Sequence, residues 1–431
     1  MGRRVRQGRG VLLAVLCVGM PALAVAQTPV AAQRVTFKDA IQRAMQNNPS
    51  VTGAAAGILR ADALLTEARS ATRLQVSGSV TTTTLNTGVT YAGTTITPQN
   101  SLTAALGVQM PLYAPVLWAR HAESLDAKQV AELNAADVRQ QIAQATADAF
   151  LTIIAARRTV EANELARETA KAHVDLATQL EQGGSSSKLN RLRAQQELST
   201  DERLVESARL ALYRATEALG VLLVADGPMD AADEPALDVP PGADAASSSL
   251  RQYRTDLKLF SAEAQAAEHV LADSSKDRLP FLSASFAPQA GYPAQFFGPV
   301  FSWRFLLQAS VPLFDSGQRS GQEVERRAAV DLAHANVARV TTQASSEVRA
   351  GREAVASAER GLASARAAAD QAHQVVDIVN ISFRAGASTN IEVIDAERTA
   401  RDADTAVATA EDTLRRAKLE LLIALGRFPN F

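Results

Sequence analysis

The chain has 431 residues, of which 47% are hydrophobic and 21% are charged, so it is long and apolar enough to bury a core. Its formal net charge of -2 lacks the clustered basic excess that nucleic-acid binding requires, so no nucleic-acid partner is expected. Beyond the N-terminal region no stretch of about 18 uninterrupted apolar residues occurs, which excludes an ordinary helical transporter.

Residues 1–26 are predicted to be a secretory signal peptide. Four arginines precede an apolar run over residues 11–19, and Ala24-Val25-Ala26 provides the small residues of a cleavage site. The only cysteine, Cys17, lies in the apolar run and would be removed with it. Lipid attachment to Cys17 is the alternative, which the bulky neighbour Leu16 disfavours. The exported protein is therefore expected to use neither disulfides nor cysteine metal ligands.

Sequence motifs of the exported chain occur twice, in the same order. The segment around Pro111 matches the segment around Pro312, and the turn at Gly184 matches the turn at Gly386. The sequence Ala-Leu-Gly then follows in both copies, at the same spacing of about 200 residues. This order predicts a tandem duplication of one long structural unit.

The repeat divides the exported chain into three predicted parts. The first structural repeat covers residues 27–225, and the second covers residues 250–431. Residues 226–249, rich in Asp, Pro, Gly and Ser, are predicted to be an irregular connector. Each repeat also carries an early helix, predicted over residues 50–72 and 250–277.

Long helices are predicted in the second half of each repeat. Residues 116–227 and 313–428 contain no proline and are rich in alanine. Glycines at 183–184 and at 386 divide each stretch into a helix of roughly 65 residues and one of roughly 32. The longer helices would each reach about 100 Å.

The spacing of apolar residues predicts how these helices pack. From Val348 to Ala424 small and apolar residues follow alternating steps of 3 and 4, which predicts a coiled-coil seam with a period of 3.5. In the first repeat Asp201 interrupts this pattern. The early helix and the later short helix together nearly match the long helix in length. We therefore expect two short helices, stacked end to end, alongside each long one.

Strands are predicted between the early and the long helix of each repeat, because apolar and polar residues alternate there. In one strand, Phe301, Trp303 and Phe305 alternate with serine and arginine. The four predicted strands, forming two hairpins, cover residues 73–85, 102–112, 281–287 and 301–311.

Four strands cannot close a barrel, since even a barrel filled with side chains takes about eight. In lipid only a closed barrel satisfies the backbone groups of strands, so identical subunits would have to supply the missing strands. The alternative is a soluble hairpin whose apolar side packs on the chain's own helices. Export and the doubled hairpin favour the shared barrel.

Three motifs carry a resemblance to a known family. They are Val35 to Ile41 leading into Asn47-Asn48-Pro49, the strand-exit segment Val311 to Gly317, and Ala385-Gly386 followed by Ile391 to Ala396. With these motifs in a duplicated frame, the chain resembles TolC-type outer-membrane efflux channels over nearly its whole exported length.

The resemblance implies a mainly α-helical fold with a small β part. It implies a homotrimer whose subunits each give four strands to a 12-stranded barrel in the lipid of the outer membrane. A long antiparallel coiled-coil tunnel would extend into the periplasm. The resemblance also implies docking to an inner-membrane transporter through a periplasmic adaptor protein. The junctions between strands and helices would lie at Pro111 and Pro312.

The turn at Gly386 carries two acidic residues that lie on one helical face, Glu392 and Asp395. The resemblance implies that they ring the narrow periplasmic entrance, where a trimer would place two carboxylates per subunit. Such a ring attracts cations. The alternative for Glu392 is a capping box with Thr389, and the two roles are compatible.

The matching turn at Gly184 in the first repeat departs from this pattern. Asn190 replaces the acidic residue that would match Glu392, and Lys188 and Arg191 are basic. These cations would either pair with the acidic residues of a neighbouring helix pair and hold the entrance shut, or remain solvated charges. Cation selectivity is therefore open.

Some relatives have a tyrosine and an arginine that help to lock the closed tip. At those two positions this chain has Phe383 and Ser388. A lock of that kind would have to use other residues.

Enzymatic activity finds no support in the sequence, and no cofactor is expected. The histidines are scattered without metal-ligand spacing, as expected of surface residues, and no nucleotide-binding or hydrolase motif occurs. The sequence thus predicts a passive outer-membrane exit duct for small molecules, the outer-membrane component of a tripartite efflux system. The alternatives are a type I secretion duct for polypeptides and a periplasmic coiled-coil scaffold or adaptor without a pore.

Overall fold

The computed structural model describes residues 32–239, 247–294 and 299–429. The predicted signal peptide and Cys17 lie outside these residues.

Two capped helices begin the first repeat. Helix α1 (Phe37–Asn47) starts after Thr36, whose hydroxyl accepts a hydrogen bond from the backbone N–H of Asp39 at 3.3 Å. Asn48 ends α1 and caps α2 (Pro49–Ala71), because its side chain accepts from the N–H of Ser50 at 3.0 Å. Proline at the first position of α2 lacks only an N–H that would have no partner inside the helix.

The predicted long and short helices are present in both repeats. Helices α3 (Pro115–Gln182) and α4 (Lys188–Leu223) contain 68 and 36 residues. Their counterparts α7 (Gln318–Arg384) and α8 (Asn390–Ala424) contain 67 and 35. The lengths expected from the proline and glycine positions are confirmed.

The early helix of the second repeat is broken, whereas a single helix over residues 250–277 was expected. It consists of α5 (Ser247–Tyr253), α6 (Thr255–Ala272) and a 3-10 turn (Asp273–Arg278). Arg254 between α5 and α6 has extended backbone angles, φ -78° and ψ 127°. Its guanidinium forms ion pairs at 2.6 Å with both Asp256 and Glu347. The local pair with Asp256 and the tertiary pair with Glu347 both accompany the break, and no helix-breaking residue signals it in the sequence.

The two short helices of each repeat pack beside its long helix, as predicted. Helices α2 and α4 contact α3, while α6 and α8 contact α7. Helix α8 also contacts α3, so the two repeats share one packed helical body. Most of the seam residues predicted in α7 and α8 are buried and the others are half-buried. The buried ones include Val348, Gly351, Ala358, Leu362, Ala369, Val393, Ala400, Ala417 and Leu421.

One larger core cluster lies where the short elements meet the long helices. Phe37 packs edge to face on Phe150, with ring centroids 5.3 Å apart, and Phe428 from the end of the chain contacts the same ring of Phe37. Strand β1 (Gln33–Val35) pairs in parallel with β6 (Met229–Ala231), a short strand within the predicted connector.

Four long antiparallel strands form one sheet in the order β2, β5, β7, β8. Their bounds are Gln75–Thr84, Asn100–Tyr113, Phe281–Tyr292 and Phe301–Ser310. Both predicted hairpins are therefore present, and pairing of β5 with β7 joins the repeats. The loop between β2 and β5 contains an additional small hairpin, β3 (Val89–Tyr91) and β4 (Thr94–Thr97).

Register gives this sheet one apolar and one polar face. Apolar side chains lie opposite one another across all four strands in the row Val76, Val108, Phe286, Phe305. The adjacent row, offset by one residue in each strand, is mostly polar and consists of Gln75, Gln109, Ser285 and Leu306. Phe305 and Trp303 are 61% and 64% exposed in the single chain, so its own helices do not cover the apolar face.

Within the described residues, none of the helices combines the length and hydropathy needed to cross a membrane.

Candidate functional site at the helical tips

The two predicted turns have the same geometry at the ends of α3 and α7. Gly184 has φ +74° and Gly386 has φ +76°, a left-handed conformation that favours glycine. After each glycine a backbone N–H reaches back over the helix end, from Ser185 to Leu180 O and from Ala387 to Ser382 O, both at 2.8 Å. We call the two turns, with the first turns of α4 and α8, the helical tips.

At the second tip, Glu392 caps helix α8. Its carboxylate accepts a hydrogen bond from the backbone N–H of Thr389 at 2.7 Å, which completes a capping box. The predicted capping role is therefore present in the structure. The Glu392 side chain is also exposed.

Asp395 lies one helical turn beyond Glu392 and is exposed on the same side of α8. Among the described residues neither of these two carboxylates forms an ion pair. Two exposed negative charges, neither in a direct ion pair, thus lie side by side at the start of α8, and Arg398 one turn further along interacts with Asp395 through its charge.

At the first tip the basic residues have partners of their own or remain exposed. The Arg191 Nε donates to Glu181 at 2.5 Å, and its Nη1 donates to Gln195 at 3.0 Å. Lys188 is exposed and forms no ion pair with any described residue. Within one chain the two tips are therefore not joined by pairing of Lys188 or Arg191 with Glu392 or Asp395.

Asn390 joins the two tips instead, and sequence reasoning missed it. Its side-chain amide donates to the carbonyl oxygen of Asn190 at 3.3 Å, and its Oδ1 lies 2.9 Å from His173 Nε2. Asn390 is only 3% exposed. The ring of Phe383 packs beside that of His173, with centroids 5.7 Å apart, so this predicted site residue is part of the packed tip.

The expectation that the histidines lie at the surface is wrong for His173, which is 4% exposed. By contrast, the side chains of His269, His334 and His373 are about half exposed, each beside a carboxylate. Only a position on the buried face of α3 distinguishes His173, and its partner Asn390 is 217 residues away in sequence.

A buried network of ion pairs lies between α4 and α8, one to three helical turns from the tips. Glu197, 3% exposed, accepts hydrogen bonds from both Arg398 and Arg401. Arg401 also pairs with Asp201 at 2.6 Å. Asp201, which interrupts the apolar seam, is therefore a buried partner of the second repeat.

The network affects the pKa of its two carboxyl groups in opposite directions. Burial raises the pKa of Asp201, and the nearby Arg401 only partly opposes it. Burial also acts on Glu197, but hydrogen bonds and charge from Arg398 and Arg401 outweigh it and lower the pKa. Glu197 thus binds both arginines, whereas Asp201 pairs with Arg401 alone.

The two predicted strand-to-helix junctions, at Pro111 and Pro312, differ from each other in their position relative to the strand. Pro111 lies inside β5, at an irregularity in its pairing with β7. Pro312 lies after β8, and its carbonyl oxygen accepts from Arg319 at 3.1 Å. The Asp315 carboxylate in turn binds Arg319 and accepts from the N–H of Gly317, which fixes the turn into α7.

No group of His, Cys, Asp and Glu residues suited to hold a metal ion occurs among residues 32–239, 247–294 and 299–429.

Comparisons with known proteins agree with this architecture. The sequence pattern of the outer membrane efflux protein family matches residues 40–223 and 246–427, one segment in each repeat. A search among curated proteins finds no match.

Several solved structures share the fold. The outer membrane protein VceC from Vibrio cholerae has a TM-score of 0.77 at 17% identity, over 90% of this chain and 96% of that chain. The Campylobacter jejuni CmeC outer membrane channel has a TM-score of 0.77 at 15% identity, over 98% of this chain and 96% of that chain. The Neisseria gonorrhoeae MtrE outer membrane channel, solved in its open state, has a TM-score of 0.77 at 15% identity, over 94% of this chain and 95% of that chain.

Because the family pattern covers both repeats, and the helices, tips and four-stranded sheet agree with it, the chain belongs to the outer membrane efflux protein family.

Proposed function

We propose that the protein is the outer-membrane duct of a tripartite efflux system, through which small molecules leave the cell passively. Three copies would form one 12-stranded barrel in the outer membrane, above a helical tunnel in the periplasm. The observation that supports this most strongly is the sheet, which has an apolar face across all four strands and strands β2 and β8 at its two edges.

The edges of the sheet favour assembly with identical subunits. Edge strands have unpaired N–H and C=O groups, which lipid cannot satisfy. Pairing of β8 in one subunit with β2 in the next would satisfy both edges and close the sheet after three subunits. The apolar face would then contact lipid, and the polar face would line water.

The helical tips would form the periplasmic entrance, with Glu392 and Asp395 of the three subunits around the opening. The turns at Gly184 and Gly386 would be the points about which the helix pairs repack when the entrance opens. Lys188 and Asn190 would lie at the same end. A periplasmic adaptor and an inner-membrane transporter would deliver the substrate and supply the energy.

The proposal is tested by fractionation and by conductance. Expressed with its own N-terminal segment, the protein should sediment with outer membranes and, once purified, conduct ions across a planar bilayer. Recovery in the soluble periplasm without conductance would contradict the proposal and favour a scaffold. Proteins that co-purify with it would distinguish efflux of small molecules from secretion of polypeptides.

A further inference from the structure

Two buried titratable groups face each other between the repeats, just beyond the helical tips. The side chains of His173 on α3 and Glu397 on α8 are 2% and 8% exposed, and His173 Nδ1 lies 3.8 Å from Glu397 Oε1. This distance is too long for a hydrogen bond. Neither His173 Nδ1 nor Glu397 Oε2 has a hydrogen-bond partner in the described part of the chain.

The hydrogen bonds of Asn390 fix which histidine nitrogen carries a proton. Because the Asn390 amide donates to Asn190 O, its Oδ1 is the group that faces His173. Oδ1 can only accept, so His173 Nε2 carries a hydrogen and donates at 2.9 Å. In the neutral imidazole, Nδ1 is then a bare acceptor that faces the Glu397 carboxyl group.

A carboxylate facing a bare nitrogen lone pair in a buried space is unfavourable, because neither group can donate. One proton between them would remove the negative charge and supply a donor. Burial, followed by the charges of Asp201 and Glu197, raises the pKa of Glu397 to about 8. Burial lowers the pKa of His173, although its hydrogen bond to Asn390 opposes this.

Other charged groups surround the pair or line the adjoining cavity of about 300 Å³. They are Glu197 and Asp201 on α4, His373 and Asp377 on α7, and Arg398, Arg401 and Asp404 on α8. The two arginines form ion pairs with Glu197 and Asp201, and neither forms an ion pair with Glu397.

We propose that His173 and Glu397 together bind one proton, and that this proton holds α3 of the first repeat against α8 of the second. The pair is thus a proton-binding site at the contact between the repeats. Its effect on opening of the entrance rests on the proposed function, whereas proton binding itself does not.

The direction of the pH dependence follows from the two pKa values. Once separated, Glu397 and His173 return toward their ordinary pKa values of 4.5 and 6.5, so above pH 6.5 the separated pair holds essentially no proton. The packed pair still holds one up to about pH 8. Separation therefore releases a proton between these limits, and its equilibrium constant rises up to about tenfold per pH unit.

Outside this window the dependence changes. Between pH 4.5 and 6.5 both arrangements hold one proton, on Glu397 when packed and on His173 when separated, so the contact is most stable there. More acidic conditions would add a second proton to the separated groups and weaken the contact again.

Infrared titration of the full exported protein, carrying glutamate labelled with carbon-13 at the side-chain carboxyl, tests the site. We expect one protonated glutamate carboxyl group at pH 7 that is lost near pH 8, in the wild type but not in Glu397→Gln. The matched control is Glu359→Gln, an exposed residue of α7 that should leave the titration unchanged. Absence of a glutamate titrating near pH 8 in the wild type overturns the proposal, whether or not Glu397→Gln folds.

Bilayer conductance supplies an independent second measurement. For each subunit whose pair separates on opening, the ratio of open to closed times should rise up to about tenfold per pH unit between pH 6.5 and 8, in the wild type and in Glu359→Gln. It should be nearly flat in Glu397→Gln, which has no proton to release. Conductance without this slope in the wild type overturns the proposal. A titrating Glu397 in a protein that never conducts would support the proton site and contradict the proposed duct.

Discussion

Buried polar side chains are concentrated where the two repeats meet near the helical tips. His173, Glu197, Asp201 and Asn390 are each at most 4% exposed, and each contacts a residue of the other repeat. A buried polar group is costly when it loses its partner, so these contacts require one particular alignment of the repeats. Specific alignment at this end of the helices is what an entrance that opens and closes would need.

Removal of the Asn390 side chain should loosen that alignment. In Asn390→Ala, His173 Nε2 and the Asn190 carbonyl lose their partner, which should lower the free energy of unfolding by about 1–3 kcal/mol. Chemical unfolding measures the loss. The control Asn134→Ala changes an exposed residue of α3 and should stay within about 0.5 kcal/mol of wild type. Equal stability of the two variants would contradict the role given to Asn390.

At Glu392 and Asp395, substitution can separate the effect of charge at the proposed entrance from the capping of α8. The double substitution Glu392→Gln with Asp395→Asn removes both negative charges, while glutamine retains the cap because it also serves in a capping box. We expect a clear loss of cation preference, measured as reversal potential across a salt gradient, with little change in thermal stability. Glu359→Gln serves as the control. An unchanged reversal potential would exclude these carboxylates from the constriction.

At the scale of elements, close approach of helices depends on the small residues of the seam. A Cβ atom added to Gly351 on α7 would lie 3.4 Å from Leu421 Cα on α8, whereas one added to Gly361 on α7 would meet nothing within 4 Å. The coiled coil thus has positions that tolerate only glycine or alanine next to positions that accept larger residues.

This difference predicts contrasting effects of the same substitution. Gly351→Val should push α7 and α8 apart and lower the free energy of unfolding by about 1–3 kcal/mol. Gly361→Val should be neutral or slightly stabilising, because a valine fits open space and helix interiors disfavour glycine. Thermal unfolding of the two variants checks this, and a loss of similar size in both would show that the seam packs differently.

At the scale of the whole molecule, the helices and strands could be predicted from regular patterns in the sequence, whereas individual long-range contacts could not. The 3.5-residue seam, the proline-free stretches and the alternating strands predicted the helix pairs and the hairpins. The break at Arg254 escaped prediction because it is accompanied by ion pairs with Asp256 and with the distant Glu347. At the tips, the glycine turns and the cap of Glu392 were predictable from local motifs.

The contact of Asn390 with His173 was not predictable, because nothing in either local sequence identifies the other. Asp201 is the instructive exception. It was visible as an interruption of the seam, and its partner Arg401 lies 200 residues away in the second repeat. A polar residue at an apolar position of a seam indicates a tertiary contact, but the sequence does not predict which residue is the partner.

Cross-linking of β2 to β8 tests directly whether copies of this chain close a shared barrel. Within one sheet two strands separate β2 from β8, so their Cα atoms lie roughly 14 Å apart, beyond the roughly 7 Å limit of a disulfide. Val80→Cys on β2 would be combined in turn with cysteine at each β8 position from 301 to 310, in a background lacking other exported cysteines. A shared barrel predicts covalent dimers and trimers at the one or two β8 positions that lie opposite residue 80, because residues further along the strand exceed this limit. Monomers at every position would contradict it.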